Sequence, residues 1–334
     1  MIFNWQMSAW KALAVHRSKL PHALLMVGRP GIGKSLLASS FAQALLCDTP
    51  AKHGLPCGTC QACNWFLQGN HPDFRILQPE SMAPEAADEA PAKKEKKKSE
   101  QIRIEQVRAT EGFLAVGTHR GGARIILIDP AEAMNPAAQS ALLKNLEEPP
   151  PGTLYLLVSS RPQRLLPTIR SRCMVVPVAA PAHAEALKWL ESEGVGDAAE
   201  ALAAAAGAPL AARAAAEVEP VRREFLNRLA DPSSDPLALA QSCDTVEPAL
   251  VVGWLQRWVY DLLSARTSGC VRYNVSAQRA IEKISKPLDA AALAGLLRRL
   301  GEARALAQHP LNPRLFFEDL LLQYRAVASG KGVQ

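Results

Sequence analysis

Between Ala23 and Val178, short apolar runs alternate with stretches whose apolar residues recur every three to four positions. The runs Ala23–Val27, Phe74–Leu77, Ala123–Ile128, Thr153–Ser160 and Met174–Val178 are bounded by Gly, Pro and Asp, and they predict buried strands. The helical stretches are Ser35–Leu46, with Leu37, Phe41, Ala44 and Leu45 in phase, Ile102–Leu114, and Asn135–Glu148 with Ala138, Leu142 and Leu146 on one face. Continuous apolar strands separated by helices predict a parallel α/β sheet. An amphipathic helix over Phe3–Leu20, anchored by Trp5, Trp10 and Leu13, precedes it.

Strand signals fade beyond Pro181. Short helices are expected at Ala184–Glu193, Ala198–Ala206 and Pro209–Val218, punctuated by Gly194, Gly207 and Pro209. From Pro220 the pattern is helical throughout: Val221–Leu229, Glu247–Arg266, Ser276–Ser285, Ala290–His309 and Pro313–Ala328. Leu250, Trp254, Leu255, Trp258 and Leu262 fall at helical spacing and read as bundle core, not as a platform for stacking bases.

The first strand runs into Gly28-Arg29-Pro30-Gly31-Ile32-Gly33-Lys34-Ser35, which fits the phosphate-loop spacing. In such a loop successive backbone N–H groups converge on phosphate oxygens at a helix N-terminus. Lys34 would meet the β- and γ-phosphates, and the Ser35 hydroxyl would meet Mg²⁺. Asp129, at the end of a second apolar strand, would hold Mg²⁺ through water. The next position, where a water-activating carboxylate belongs, is Pro130. Glu132 lies two residues further on and is expected to point elsewhere. Ser159 and Ser160 end the fourth strand, where a γ-phosphate sensor would lie.

Four of the seven cysteines cluster as Cys47, Cys57, Cys60 and Cys63. In a reducing compartment that spacing favours metal over disulfides, and four thiolates suit one tetrahedral, structural Zn²⁺. His53 and His71 are alternatives to Cys47 as the fourth ligand.

The chain of 334 residues is 48% hydrophobic and 21% charged, enough for two or three domains. Its net charge of +6 suggests an acidic partner, but the Lys93–Lys98 run does not supply the excess. From Glu80 to Glu100 five lysines face six acids, which gives 5 − 6 = −1. The segment from 79 to 100 is expected to be a disordered, solvated insertion. No apolar run approaches the ~18 residues of a membrane span, so a cytoplasmic protein without membrane contact is expected.

Together the phosphate loop, the strand ending in Asp129, Ser140-Ala141-Leu142-Leu143-Lys144-Asn145-Leu146-Glu147-Glu148-Pro149-Pro150 and Ser171-Arg172-Cys173 resemble the AAA+ clamp-loader subunits of bacterial replication. The resemblance covers nearly the whole chain. It implies an AAA+ domain over 1–178 with a zinc module at about 47–73, a helical lid over 179–218 and an all-α collar over 219–334. It also implies that Arg172 reaches in trans to the γ-phosphate of ATP on a neighbouring subunit.

Asp129-Pro130 in place of Asp-Glu, and Leu210 where the motor's lid carries arginine, place the chain nearer the stator type than the tau/gamma motor. The implied partners are tau/gamma and delta in a heteropentamer, and through the complex the ring-shaped beta clamp and primed DNA. ATP and Mg²⁺ are expected to bind here, with slow or absent turnover. The alternatives are a tau/gamma-type motor ATPase and a zinc-dependent nucleic-acid-binding AAA+ protein.

Overall fold

A computed structural model describes residues 2–15, 20–83, 99–116, 118, 122–307 and 311–330. The Lys93–Lys98 run lies outside the described residues, as does most of the expected insertion. Its two ends do meet, because the Ser81 N–H donates to the Ser99 carbonyl at 3.1 Å.

The chain forms two compact units, Met1–Pro181 and Ala182–Gln334. In the first, α1 (Met7–Val15) precedes β1 (Ala23–Val27), α2 (Lys34–Leu46), α3 (Gln61–Leu67), β2 (Phe74–Leu77) and α4 (Ile104–Ala115). These are followed by β3 (Arg124–Ile128), α5 (Pro136–Glu147), β4 (Thr153–Ser159), α6 (Pro167–Arg172) and β5 (Met174–Pro177). The sheet order is β2-β3-β4-β1-β5, with every pair parallel. Ala23, Leu24, Leu25 and Met26 are all buried, as a strand with neighbours on both sides and helices on both faces requires.

Arg124 interrupts the apolar run of β3, yet it is buried. It donates to the carbonyls of Phe113 and Leu114 and lies 5.8 Å from the Phe113 ring centroid, so its charge is spent at the end of α4. The N-terminal segment opens differently from a single helix over Phe3–Leu20: a 3₁₀ turn, Asn4–Gln6, comes first, then α1, and residues 16–19 of the expected helix lie outside the described residues. Asn135 caps α5 by accepting from the Ala138 N–H at 2.8 Å, and prolines follow the helix.

The second unit is helical throughout its described residues. Its first helices are α7 (His183–Ser192), α8 (Ala198–Ala204) and α9 (Pro209–Ala215). They enclose a small core of Ala186, Leu190, Ala198, Ala201, Leu202 and Ala212. The remaining helices are α10 (Glu219–Ala230), α11 (Pro236–Ser242), α12 (Pro248–Ser268), α13 (Gln278–Ser285), α14 (Ala290–Leu306) and α15 (Pro313–Ala328). They pack around Trp258, which is fully buried and donates to the Tyr324 hydroxyl at 2.9 Å. Three helices are not visible in the hydrophobic pattern: α3, among the cysteines, α6, the short Pro167–Arg172 helix, and α11, one of whose faces carries Leu239 and Ala240.

Asp261 on α12 is also fully buried. It accepts from the N–H groups of Arg272, Tyr273 and Asn274 and from the Asn274 amide, clamping the turn after α12. Among the described residues, no single helix is long and apolar enough to cross a membrane.

Candidate functional site

The loop from Gly28 to Gly33 joins the C-terminal end of β1 to the N-terminus of α2. Gly28 passes so close to the backbone that a Cβ there would lie 2.6 Å from the Val178 carbonyl oxygen. Gly33 has φ of +91°, the left-handed conformation that favours glycine. The N-terminal segment clamps the loop from outside. Trp5 Nε1 donates to the Ile32 carbonyl at 3.0 Å, and the buried Gln6 donates to the Ile32 and Gly33 carbonyls at 3.2 and 2.8 Å. In the sequence the only signal of Gln6 is an amide between the aromatic anchors Trp5 and Trp10.

Lys34 is buried, and its ammonium donates to the Arg29 carbonyl at 2.6 Å and to Ser160 Oγ at 2.8 Å. Burial pushes Lys34 below its ordinary pKa, opposed by the nearby carboxylates of Glu132 and Asp129. Asp129 is pushed above the ordinary carboxylate range by burial, offset by a hydrogen bond from Ser35 and the charge of Lys34. The geometry therefore brings Lys34, Ser35, Asp129 and Ser160 together at the C-terminal end of the strands.

Glu132 departs from expectation. It does not point away: Glu132 Oε1 accepts the Ser160 N–H at 3.0 Å, and its charge acts on both Lys34 and Asp129. The chain turns at Pro130 into the 3₁₀ helix Ala131–Ala133, and the turn carries Glu132 against the end of β4. Its Oε2 is buried without a hydrogen-bond partner.

The cysteine cluster is assembled by α3, by the end of α2 and by the turn between them. All four Sγ atoms lie within 4.8 Å of one another. Cys47 to Cys60 is 3.8 Å and Cys57 to Cys63 is 3.9 Å. A tetrahedron with Zn–S of about 2.3 Å has edges of about 3.8 Å. The donor set thus fits a metal ion such as zinc.

Hydrogen bonds from Thr49, Thr59 and the Cys60 N–H hold the Cys57 thiol down at about 5, whereas burial pushes Cys63 up to about 12. A bound dication would reverse the cost of placing several thiolates side by side. Neither histidine joins the cluster. His71 Nδ1 accepts the Asp73 N–H, and the His53 carbonyl accepts from Trp10.

Arg172 closes α6, immediately before β5. Its guanidinium is a third exposed and donates to Glu147 Oε1 at 2.7 Å and to the Thr168 carbonyl at 3.1 Å. The register pairs Leu24 with Met174, so Arg172 lies level with the start of β1, whereas the phosphate loop leaves the other end of that strand.

The family model described as "DNA polymerase III, delta subunit" matches residues 5–182, and "DNA polymerase III, delta subunit, C terminal" matches residues 220–326. The chain is 35% identical over 338 aligned positions to the DNA polymerase III subunit delta' of Pseudomonas aeruginosa, covering 97% of this chain and 90% of that one. It is 30% identical to subunit delta' of Escherichia coli, covering 90% and 88%. A gamma subunit-related protein of Thermotoga maritima superposes with a TM-score of 0.47 at 18% identity, over 96% and 99% of the two chains.

Proposed function

The chain belongs to the delta' family of DNA polymerase III, clamp-loader subunits of DNA replication with an AAA+ fold, and from that premise we propose that it acts as the stator of the loader. In this reading it assembles with tau/gamma and delta subunits into a cytoplasmic heteropentamer. Arg172 completes the ATP site of an adjacent motor, and the complex opens the beta clamp and closes it on primed DNA. Residues 179–218 form the lid, and 219–334 the collar through which the subunits assemble.

The observation that carries this reading is the position of Arg172 on the sheet. Because β1 and β5 run parallel in the register Leu24 with Met174, the arginine and the chain's own phosphate loop stand at opposite strand ends. Five strand residues at roughly 3.3 Å each separate them by about 16 Å, beyond the reach of a side chain. A guanidinium so placed serves a phosphate on another subunit, where its forked donors and permanent charge suit the task.

At the chain's own site, Gly28, Arg29, Pro30, Gly31, Ile32, Gly33, Lys34 and Ser35 would hold ATP, with Ser35 and Asp129 on Mg²⁺. The magnesium nucleotide, when bound, supplies the triphosphate whose charge Lys34 meets. Pro130 withholds the carboxylate that would activate water, so this site binds more readily than it hydrolyses. Cys47, Cys57, Cys60 and Cys63 would hold structural Zn²⁺, which cross-links α3 to the end of α2.

The test is reconstitution with motor and delta subunits, comparing wild type with Arg172→Ala. An arginine finger contributes roughly 10³-fold or more at the site that it completes. ATP hydrolysis by the complex should therefore fall by that site's share while assembly, read by size-exclusion chromatography, stays intact. Unchanged hydrolysis in an intact complex would reject the stator reading.

One observation favours a second reading, hydrolysis by this chain itself as in a motor. The orphaned Oε2 of Glu132 is buried in the pocket of Lys34 and Ser160. On the stator reading the isolated chain turns over ATP well below ~1 s⁻¹. Faster turnover that Glu132→Gln abolishes would favour the motor.

A further inference from the structure

A cavity of about 670 Å³ opens within the helical unit, walled by α8 and α9 on one side and by α10 and α12 on the other. That volume is in the range of small-molecule sites, about 300–1,000 Å³. Its wall is apolar and smooth. Ala204, Ala205 and Ala211 expose only methyl groups, and the buried Trp254 supplies an aromatic surface.

The charged groups around it are matched among the described residues, except Arg257 and the exposed Glu224. Arg222 is buried but neutralised, bonding Glu219 at 2.8 Å and Asn274 at 2.7 Å, with Glu200 at 3.6 Å. Arg223 is paired with Asp197 at 2.8 Å. Arg257, half-buried on α12 and lining the cavity, has neither a hydrogen bond nor an ion pair among the described residues. Its Nη1 lies back along its own helix, 4.0 Å from where a Cβ on Gly253 would be, a course that the missing side chain leaves open.

Burial and the neighbouring cations Arg222 and Arg304 both push Arg257 below its ordinary pKa. A guanidinium carries five donors, and those of Arg257 are not fully buried but open to the cavity, where a ligand can reach them. An anion in the cavity would satisfy them.

We propose that this cavity binds a small organic monoanion, a carboxylate or sulfonate on an apolar body, with the anionic group on Arg257 and the body against Ala204, Ala205, Ala211 and Trp254. One unmatched cation fits one negative charge. Nucleotides and other polyanions are disfavoured, because Arg222 and Arg223 are already neutralised and Glu224 stands exposed at the rim.

The test uses the full chain and three probes: octanoate, which has both parts, octanol, which has the body alone, and acetate, which has the charge alone. Calorimetry should give one octanoate per chain, with the melting temperature rising with octanoate concentration. Octanol and acetate should bind at least roughly ten-fold more weakly, about 1.4 kcal/mol. Arg257→Gln should lose octanoate binding by a similar factor while melting no lower than wild type, since it removes an unpaired cation. Ala211→Leu, which fills the cavity and leaves the charge, should lose binding as well. Octanoate affinity unchanged in Arg257→Gln, equal affinity for octanol, or no binding at millimolar octanoate would overturn the proposal.

Discussion

Arg172 is tied to Glu147 across 2.7 Å, so the last residue of α6 is fastened to the last residue of α5. Both side chains are substantially exposed, and exposed pairs contribute about 0–1 kcal/mol. The contact therefore orients the arginine more than it stabilises the fold, and in the proposed finger role it would have to yield for the guanidinium to meet a phosphate. Glu147→Ala should leave the urea midpoint nearly unchanged. In the reconstituted complex it should alter the nucleotide dependence of hydrolysis without abolishing it, unlike Arg172→Ala. A Glu147→Ala complex as inactive as Arg172→Ala would show that the carboxylate is needed throughout.

Asp129 should make stability depend on pH with a definite sign. Its folded carboxyl is raised by burial, so as pH climbs past the ordinary carboxylate value the unfolded chain releases its proton first. Stability due to this group is full below that value, falls as pH rises through the window up to the folded value, and is constant above it. Asp129→Asn should lack that decline, should be at least as stable as wild type near neutrality, and should lose magnesium-dependent nucleotide binding. The difference between the two stability–pH curves, measured by urea unfolding, isolates the effect. A wild-type curve that rises through the same window relative to Asp129→Asn would contradict the burial of the carboxylate.

Removing the metal should unsettle the module formed by α3 and the end of α2. The purified chain should carry one zinc, released by chelators and by acidification as the thiolates protonate. A loss of about 3 kcal/mol lowers the melting temperature by roughly 6–12 °C in a domain of this size. Cys60→Ser and Cys63→Ser should each reproduce the loss, whereas His53→Ala and His71→Ala should retain zinc. Elemental analysis that finds no zinc in a chain purified without chelator would remove the basis of this expectation.

Much of this was legible in the chain. The five strands and the phosphate loop stand out because fully buried parallel strands are continuous apolar runs, and because glycine and proline bound them. Local spacing also exposes the four cysteines. Gln6, Glu132 and Arg257 were not legible, each for a physical reason. Gln6 meets the loop from 26 or 27 residues away. The side that Glu132 takes depends on a single 3₁₀ turn after Pro130. What distinguishes Arg257 is the lack of a partner among the described residues, which no local pattern records. Arg222 and Asn274 are likewise 52 residues apart. Short α11 was missed because two buried residues are too few to show a period.

The buried carboxylate of Asp261 gives a stability test away from the pocket. It accepts from three backbone N–H groups and one side-chain amide, and removing it strands those donors. Asp261→Ala should be strongly destabilising, since a buried donor left unmet costs about 1–3 kcal/mol. Asp261→Asn, which keeps the shape but accepts fewer bonds, should cost less. A urea midpoint for Asp261→Ala close to wild type would mean that the turn after α12 holds itself.

The parallel pairing of β1 and β5 makes each copy of this architecture directional: a cation is offered at one rim of the sheet and a phosphate cradle at the opposite rim. On the proposed stator reading, a cation at one rim and a cradle at the other would join such units head to tail, so a row of them would have a first member and a last.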